Sequence, residues 1–255
     1  MLNKIIENKR KEIEINKKEF PLNSFKNKLN NSTKDFKIVI SKNKLNLIAE
    51  FKRNSPSKNI INKNFDIKTI TEIYNKYADA ISVLTDKKFF NGSLDDLKKI
   101  SELTNLPVLR KDFIIDEYQI YESRFYDADA ILLIASVLSN EQIKNFIEIA
   151  KKYNMDCLVE IHNKEELNKI INIENIEIIG INNRNLDTSK IDTNTTLNLI
   201  KKFPKNKIII SESGISSKDY VKKLTGKVNA ILVGSLFMNS DDIENEIKRL
   251  IKWPK

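Results

Sequence analysis

Ionisable side chains stand at the ends of several short apolar runs, and their types are those of acid–base chemistry. Glu50 and Lys52 end the first run, Lys111 ends the third, Glu160 ends the fifth, and Arg184 follows the sixth. Side chains alternate along a strand, so each of these residues shares a face with the residue two positions before it. If these faces point inward, two lysines, an arginine and two carboxylates converge at one end of the strands. Charged groups are seldom buried for packing alone, so a functional site explains this convergence better.

Small residues follow the seventh and eighth apolar runs, where they would suit a phosphate group. The segments are Ser211–Ile215 (Ser-Glu-Ser-Gly-Ile) and Val233–Leu236 (Val-Gly-Ser-Leu). Glycine lets the backbone approach phosphate oxygens, and the loops after strands seven and eight are the usual phosphate site of (β/α)8 barrels. Residues 55–59, a polar loop with a lysine, would close over an anionic ligand or form a plain surface loop. The residues therefore predict a phosphorylated, carboxylated substrate handled by Lys and Glu without a metal.

The elements that must position these groups alternate regularly along the chain. Strands are predicted at 45–51, 80–84, 107–111, 130–134, 156–161, 177–181, 207–211 and 230–233. Helices are predicted at 68–77, 93–103, 116–125, 140–153, 164–171, 195–203, 217–224 and 241–251. Near-continuous apolar strands indicate a parallel sheet covered on both faces, with a repeat of roughly 25 residues. Eight such units predict an α/β fold, a (β/α)8 TIM barrel, because an open doubly wound sheet would need a Gly-rich turn after its first strand.

Residues 1–44 precede the first strand and are predicted to form one or two amphipathic helices packed on the barrel. The residues at helical spacing are Leu2, Ile5, Ile6, Lys9 and Ile13. Further on, Ser139 and the pair Ser216-Ser217 precede two predicted helices as capping residues. No Pro/Gly/Ser-rich linker or change of composition divides the chain. We therefore expect residues 1–255 to form one barrel domain with this helical extension.

Composition excludes several classes of protein. The 255 residues are 40% hydrophobic and 31% charged, with a formal net charge of +9. The only cysteine (Cys157) excludes a disulfide framework, and the only histidine (His162) excludes a His-rich zinc site. No apolar run approaches the roughly 18 residues of a membrane span, and the charged N-terminus lacks a signal-peptide core, so we expect a cytoplasmic protein. The lysines are spread evenly, which argues against a nucleic-acid-binding surface.

Taken in chain order, these segments resemble the indole-3-glycerol-phosphate synthase family of tryptophan biosynthesis. The segments are 48–57 (IAEFKRNSPS), 82–86 (SVLTD), 89–93 (FFNGS), 109–113 (LRKDF), 158–160 (LVE), 180–186 (GINNRNL), 211–215 (SESGI) and 233–235 (VGS). The resemblance spans essentially the whole chain, and E-x-K-x-x-S-P-S with I-N-N-R-N-L is highly specific. Asn59, where the family usually has Gly, and Tyr126-Asp127, in place of a Gly-containing turn, depart from the pattern without touching the proposed chemistry.

The resemblance implies a carboxy-lyase without a cofactor. It would convert 1-(2-carboxyphenylamino)-1-deoxyribulose 5-phosphate to indole-3-glycerol phosphate, with loss of carbon dioxide and water. By resemblance, Lys111 is the acid that protonates the ketone oxygen, and we expect Lys52 and Arg184 to lower its pKa. Lys52 would hold the anthranilate carboxylate, and which lysine donates the proton stays open. Glu160 would be the acid/base of the dehydration, and Glu50 would be a further catalytic residue that positions the lysine or shares in the proton transfer.

The remaining site residues follow from the same resemblance. Those that would orient the substrate and complete the polar wall are Asn182 (placed in the catalytic group), Arg184, Glu212 and Ser213. Phe90 and Phe113 would face the anthranilate ring, or would pack at the barrel rim. Those that would bind the phosphate are Ser55, Gly214, Gly234 and Ser235. His162 is expected in a loop beyond strand five, and Cys157 as a small core residue.

Three other functions stay open at this point. Another phosphate-binding barrel, such as phosphoribosylanthranilate isomerase, would want a Cys or Asp pair at its strand ends. A Schiff-base aldolase would use a strand-end lysine and trap its substrate with borohydride. A basic nucleic-acid-binding protein would lose affinity steeply with salt and show no turnover. We expect a small phosphorylated substrate, no nucleic-acid or membrane partner and, since no fused isomerase domain is present, a monomer.

Overall fold

Eight parallel strands form a closed barrel in which each strand pairs with the next and the last pairs with the first. The structure, a computed structural model, describes residues 1–54, 66–186, 188–204 and 206–251. The strands are β1 (Asn46–Phe51), β2 (Ala80–Leu84), β3 (Val108–Lys111), β4 (Ala130–Ile134), β5 (Asp156–Ile161), β6 (Ile178–Asn182), β7 (Ile208–Glu212) and β8 (Ala230–Val233). Every predicted strand is present, with ends within one residue of the prediction, which confirms the (β/α)8 barrel.

The two faces of the strands pack into two separate layers. The inside of the barrel is filled by residues that include Ile48, Leu109, Leu158, Ile178 and Ile210, none more than 1% exposed. The opposite faces pack against the surrounding helices in a larger outer core. Because side chains alternate, the residues two positions further along the inner faces are Glu50, Lys111, Glu160, Gly180 and Glu212. The faces that carry these strand ends therefore point inward, which is the condition on which the expected convergence of polar groups depends.

Helices separate the strands and cover the outside of the barrel. They are α1 (Leu2–Glu19), α2 (Leu22–Phe25), α3 (Phe36–Ile40), α4 (Ile67–Tyr77), α5 (Lys87–Phe90), α6 (Leu94–Leu103), α7 (Tyr118–Phe125), α8 (Asn140–Lys151), α9 (Lys164–Ile170), α10 (Asn194–Leu199), α11 (Lys218–Leu224), α12 (Ser235–Met238) and α13 (Ile243–Leu250). Short 3-10 helices occupy Lys26–Lys28 and Ile200–Lys202. Among the described helices, none has the length and apolar character needed to cross a membrane.

The predicted helices are all found, and they differ from the predictions mainly at their ends. The predicted cap at Ser139 is a full capping box, since Gln142 N donates to Ser139 Oγ and Ser139 N donates to Gln142 Oε1. Ser217 caps α11 by accepting from Tyr220 N. The helix predicted from residue 116 begins at Tyr118, whose N–H is taken by the Asp116 carboxylate. The short helices α5 and α12 were not predicted.

The N-terminal extension consists of one long helix and three short helical segments, rather than the one or two helices expected. The buried face of α1 carries Ile5, Lys9 and Ile13, three members of the predicted stripe. In α3, Phe36 and Ile40 are fully buried against the inner layer of the barrel. In the extension, α1 therefore packs with the outer core, and α3 packs against the residues that fill the inside of the barrel.

Candidate active site

A cavity of about 680 Å³ opens at the carboxyl ends of the strands. All predicted site residues that the structure describes line it: Glu50, Lys52, Phe90, Lys111, Phe113, Glu160, Asn182, Arg184, Glu212, Ser213, Gly214, Gly234 and Ser235. Ser55, with the rest of the predicted loop 55–59, lies outside the described residues. The wall also includes Leu2 and Ile5 of α1, so the extension reaches the cavity.

Lys111, at the end of β3, lies between two glutamates from other strands. Its Nζ is 3.0 Å from Glu160 Oε2 of β5 and 2.6 Å from Glu212 Oε2 of β7. These strands are all odd-numbered, and in (β/α)8 barrels alternate strands contribute to the same layer of side chains. Glu50 of β1 acts on the same ammonium group through its charge. The uppermost layer of the barrel is therefore a charged one, with Lys111 among carboxylates.

The electrostatic environment of Lys111 is the reverse of the predicted one. Burial by itself would lower the pKa of its ammonium group, but the charges of Glu160 and Glu212 raise that pKa above its ordinary value. The prediction that Lys52 and Arg184 lower the pKa of Lys111 is therefore wrong. Its physical reason is that the carboxylates, not the two cations, are in contact with the ammonium group. Lys111 is consequently protonated at neutral pH.

Glu160 and Glu212 share Lys111 but differ in their affinity for a proton. Burial would raise the pKa of Glu160, but Lys111 and His162 hold it below its usual range. Burial raises the pKa of Glu212, because Lys111 compensates only in part and Glu160 repels its charge. Within the described part of the chain, Glu212 Oε1 is buried without a hydrogen-bond partner. Glu160 is thus the more stable anion, and Glu212 is the carboxylate that takes up a proton first.

Gly180 and Gly234 have no side chains, which leaves room for the carboxylates of Glu212 and Glu50. A Cβ atom on Gly180 of β6 would lie 2.1 Å from Glu212 Oε1. A Cβ atom on Gly234, just after β8, would lie 2.2 Å from Glu50 Oε1. Both distances are far below a van der Waals contact. Gly180 was not predicted as a site residue, and Gly234 has this steric role besides any contact with phosphate.

The other predicted polar residues hold one another in place. Lys52 Nζ lies 2.6 Å from Glu50 Oε1. Asn182 Oδ1 accepts a hydrogen bond from Arg184 N at 2.9 Å, and Arg184 Nη1 donates to Ser189 O at 3.1 Å. The guanidinium group is therefore anchored to the loop after β6 and faces the cavity from its rim.

The backbone after β7 has an uncommon conformation. Ser213 and Gly214 both have positive φ angles, of 64° and 74°. A residue other than glycine is rarely found in this region, and such strain occurs mostly at functional sites. A Cβ atom on Gly214 would lie 2.6 Å from Ile191 Cγ2, so the residue also has no room for a side chain. This bend and the residues Gly234 and Ser235 at the start of α12 all line the cavity.

Phe90 and Phe113 form the aromatic part of the wall. Their ring centroids are 6.3 Å apart with an interplanar angle of 35°. Both side chains are half-buried and line the cavity, so they offer an apolar surface to a ligand as well as packing against each other.

Two buried ionic contacts next to the predicted site residues were missed at the level of sequence. His162 lies beyond the end of β5 as predicted, but its Nε2 is 3.1 Å from Glu160 Oε1. Lys9 of α1 is fully buried, and its Nζ lies 3.0 Å from Asp86 Oδ2 and 2.9 Å from Asp112 Oδ1. The sequence signal for the Lys9 contact was a lysine within an apolar helical stripe. This contact joins the N-terminal extension to Asp112, the residue that follows Lys111.

Cys157 takes no part in the site. It lies on the outer face of β5, half-buried against the outer core, where burial raises the pKa of its thiol. A thiol in this state is a poor nucleophile.

Comparison with known proteins gives one family. A family model described as Indole-3-glycerol phosphate synthase matches residues 2–250. The chain is 46% identical over 254 residues to an "Indole-3-glycerol phosphate synthase" from Caldanaerobacter subterraneus subsp. tengcongensis, covering 99% of this chain and 98% of that protein. It is 45% identical over 250 residues to a "Tryptophan biosynthesis protein TrpCF" from Buchnera aphidicola subsp. Acyrthosiphon pisum. That alignment covers 98% of this chain and 55% of the relative, so the chain spans about half the length of the TrpCF proteins it matches.

A solved structure supports the fold independently. The chain resembles a "Thiamine phosphate pyrophosphorylase from Pyrococcus furiosus" with a TM-score of 0.59 and 17% identity. The match covers 83% of this chain and 95% of that one. At this identity the likeness concerns the barrel alone.

Proposed function

The chain belongs to the indole-3-glycerol phosphate synthase family, and from this premise we propose that it catalyses the ring closure that forms the five-membered ring of indole. The substrate is 1-(2-carboxyphenylamino)-1-deoxyribulose 5-phosphate, and the products are indole-3-glycerol phosphate, carbon dioxide and water. The enzyme is a carboxy-lyase of tryptophan biosynthesis. Because the substrate carboxylate leaves as neutral carbon dioxide, each turnover takes up one proton.

One observation supports this function best: a protonated lysine held between two glutamates at the base of a cavity. Lys111 is 13% exposed and in contact with Glu160 and Glu212. Ring closure requires a proton donor at the ketone oxygen, where negative charge develops as the ring carbon attacks. The raised pKa of Lys111 keeps it in the protonated form that this role needs.

The two later steps need a group that both gives and accepts protons. Loss of carbon dioxide restores the aromatic ring and leaves a hydroxyl group on the new five-membered ring. That hydroxyl must leave with a proton, while the neighbouring CH2 carbon must lose one. Glu160 is proposed for this exchange, since its carboxylate is in contact with Lys111 and can pass protons to and from it. Asn182 and Arg184 are proposed to orient the substrate at the opposite rim.

The substrate has three parts, and the cavity has a surface for each. Lys52 is proposed to bind the anthranilate carboxylate, because an ammonium group has three donors and its contact with Glu50 uses one. The aromatic ring would lie against Phe90 and Phe113. The phosphate is proposed to bind after β7 and β8, at Gly214, Gly234 and Ser235, with Ser55 as a further ligand that lies outside the described residues.

We further propose that the protein works on this small substrate as a monomer in the cytoplasm, without nucleic-acid or membrane partners. Its substrate is a soluble phosphorylated intermediate. The site draws its residues from the strands of a single barrel.

An imine-forming aldolase is less well supported. Its lysine must be a neutral amine to attack a carbonyl carbon. Carboxylates raise the pKa of Lys111, which favours the ammonium form. Borohydride in the presence of substrate should therefore leave no covalent adduct on this lysine.

The test is the appearance of indole fluorescence when the substrate is added to wild type, to Lys111→Ala and to the surface control Lys222→Ala. We expect turnover by wild type and control, and a loss of roughly 10²- to 10⁴-fold in Lys111→Ala, with circular dichroism to show that it is folded. Product from Lys111→Ala at the wild-type rate would move the acid to Lys52. No product from folded wild type would refute the function and favour another phosphate-binding barrel.

A further inference from the structure

The two oxygens of Glu160 are held by different cations. Oε2 is 3.0 Å from Lys111 Nζ, and Oε1 is 3.1 Å from His162 Nε2. Glu160 itself is buried, and the side chain of His162 is 5% exposed. The carboxylate of Glu160 therefore contacts a cationic group on each side. Lys111 belongs to the proposed chemistry, and His162 has no role in it.

His162 is fixed in this position by the beginning of α9. Its Nδ1 lies 2.9 Å from Glu166 Oε2, which also accepts a hydrogen bond from His162 N at 2.9 Å. The other oxygen of Glu166 accepts from Asn163 Nδ2 at 2.8 Å, and Asn163 Oδ1 caps the helix by accepting from Glu166 N. The ring cannot rotate without breaking these contacts. Its two nitrogens therefore face one carboxylate each.

A histidine between two carboxylates is held in its charged form. The titratable groups that face the ring, among the described residues, are Glu160 on β5 and Glu166 on α9. Burial would lower the pKa of His162, but these two carboxylates raise it to about 10. This raised pKa favours protons on both ring nitrogens at neutral pH, which places an imidazolium next to Glu160.

This cation makes the two glutamates on Lys111 unequal. In the resting site, Glu160 and Glu212 share the positive charge of Lys111. Once Lys111 has given its proton to the substrate, both lose that positive neighbour at the same moment. Glu160 still has the ring of His162 at an ion-pair distance of 3.1 Å, whereas Lys111 is the only cation within 4 Å of Glu212 among the described residues.

We propose that His162 is a positioning residue of the reaction, whose imidazolium keeps Glu160 ionised and oriented while Lys111 is without its proton. This inference rests on the proposed function. His162 acts through Glu160 and contacts no substrate. Glu160 therefore enters the dehydration as a carboxylate that can accept the proton of the CH2 carbon, and this readiness depends on His162.

The charge state can be measured directly, because the chain contains a single histidine. In untagged protein labelled with ¹⁵N, the imidazole signals report on His162 alone, and activity is not needed. We expect both ring nitrogens to stay protonated at pH 8 and to titrate near pH 10. A titration near the ordinary value of about 6.5 would overturn the proposal.

The consequence for turnover is tested with His162→Gln, which keeps a hydrogen-bond donor but removes the charge. An opposite charge in contact shifts a carboxyl pKa by roughly 1 to 3 units, so the acid limb of kcat should move up by about one pH unit or more. At a fixed pH on the acid limb, each unit of this shift corresponds to a loss of about tenfold in kcat, with KM changed less than about threefold. Glu166→Gln should shift the limb in the same direction by less, and the exposed neighbour Glu165→Gln should not shift it.

The outcomes separate this inference from the proposed function. Wild type without turnover overturns both. Turnover by wild type with an unchanged pH profile in folded His162→Gln overturns the role of His162 alone. A lower kcat at every pH, with the acid limb in place, would mean that His162 only supports the fold near β5 and would also overturn the proposal.

Discussion

Replacing Gly180 by alanine should remove most of the activity while changing stability little. Gly180 lies on the inner face of β6 without a positive φ angle, so its backbone accepts alanine. The new Cβ would lie 2.1 Å from Glu212 Oε1 and 3.2 Å from Leu158 Cδ1. A carbon–oxygen contact needs roughly 3.3 Å, so the carboxylate must move by about 1.2 Å. Its 2.6 Å contact with Lys111 cannot survive that movement unless Lys111 follows.

The size of the effect follows from this displacement. A misplacement of about 1 Å in a catalytic arrangement costs roughly 10²-fold in rate, so kcat/KM should fall by about that factor. Alanine loses less backbone entropy than glycine in a strand, by roughly 0.5 to 1 kcal/mol, which offsets part of the cost of moving the carboxylate. We therefore expect the free energy of unfolding in urea to change by about 1 kcal/mol or less.

Gly226→Ala provides the matched control, with the opposite pattern. Gly226 has a φ of +73° and no atom within 4 Å of its added Cβ, so the substitution strains the backbone far from the site. It should lower the free energy of unfolding by about 1 to 2 kcal/mol and leave kcat/KM unchanged. Wild-type kcat/KM in Gly180→Ala would refute the reasoning, since it would show that Glu212 moves freely without disturbing Lys111.

Three further expectations concern buried charge and helix capping. Lys9→Met should lower the free energy of unfolding in urea by about 3 to 5 kcal/mol, because Asp86 and Asp112 lose a buried cation; a loss below about 1 kcal/mol would contradict this. His162 has a pKa of about 10 in the folded state against 6.5 unfolded, so the folded state holds an extra proton between these values. Stability should therefore fall as pH rises from 6.5 to 10, by at most about 1.4 kcal/mol per pH unit, and His162→Gln should lack this slope; an equal slope in both proteins counts against the contact. Ser139→Ala should cost about 1 kcal/mol with unchanged turnover, and no loss would mean that the capping box of α8 does not form in solution.

Local pattern was sufficient for the architecture and for the direction of most site residues. Near-continuous apolar runs predict strands buried on both faces, and alternation then determines which residues point inward. Ile48, Leu158 and Ile210 lie inside the barrel, so the glutamates two positions later lie there too. This inference uses only neighbours on the same strand, which is why it succeeded.

Contacts between distant segments could not be obtained in the same way. Lys9 stands 77 or more residues before its two aspartate partners, and nothing in an apolar helical stripe specifies which buried carboxylate a lysine will meet. His162 was placed correctly beyond β5, but its approach to Glu160 depends on a turn that Glu166 and Asn163 stabilise. Gly180 becomes informative only once the position of Glu212 is known.

The incorrect pKa prediction for Lys111 arose from treating all polar strand ends as equal neighbours. Alternation along the strand puts Lys52 and Glu50 on the same face. They are two positions apart, however, and a strand rises about 3.3 Å per residue. Lys52 therefore stands about 6.6 Å further out along β1 than Glu50. Side chains of alternate strands share a layer, so the residues level with Lys111 come from the other odd-numbered strands: Glu50, Glu160 and Glu212. All three are carboxylates, and this layer rule, applied to the strand ends, leads to a raised pKa rather than a lowered one.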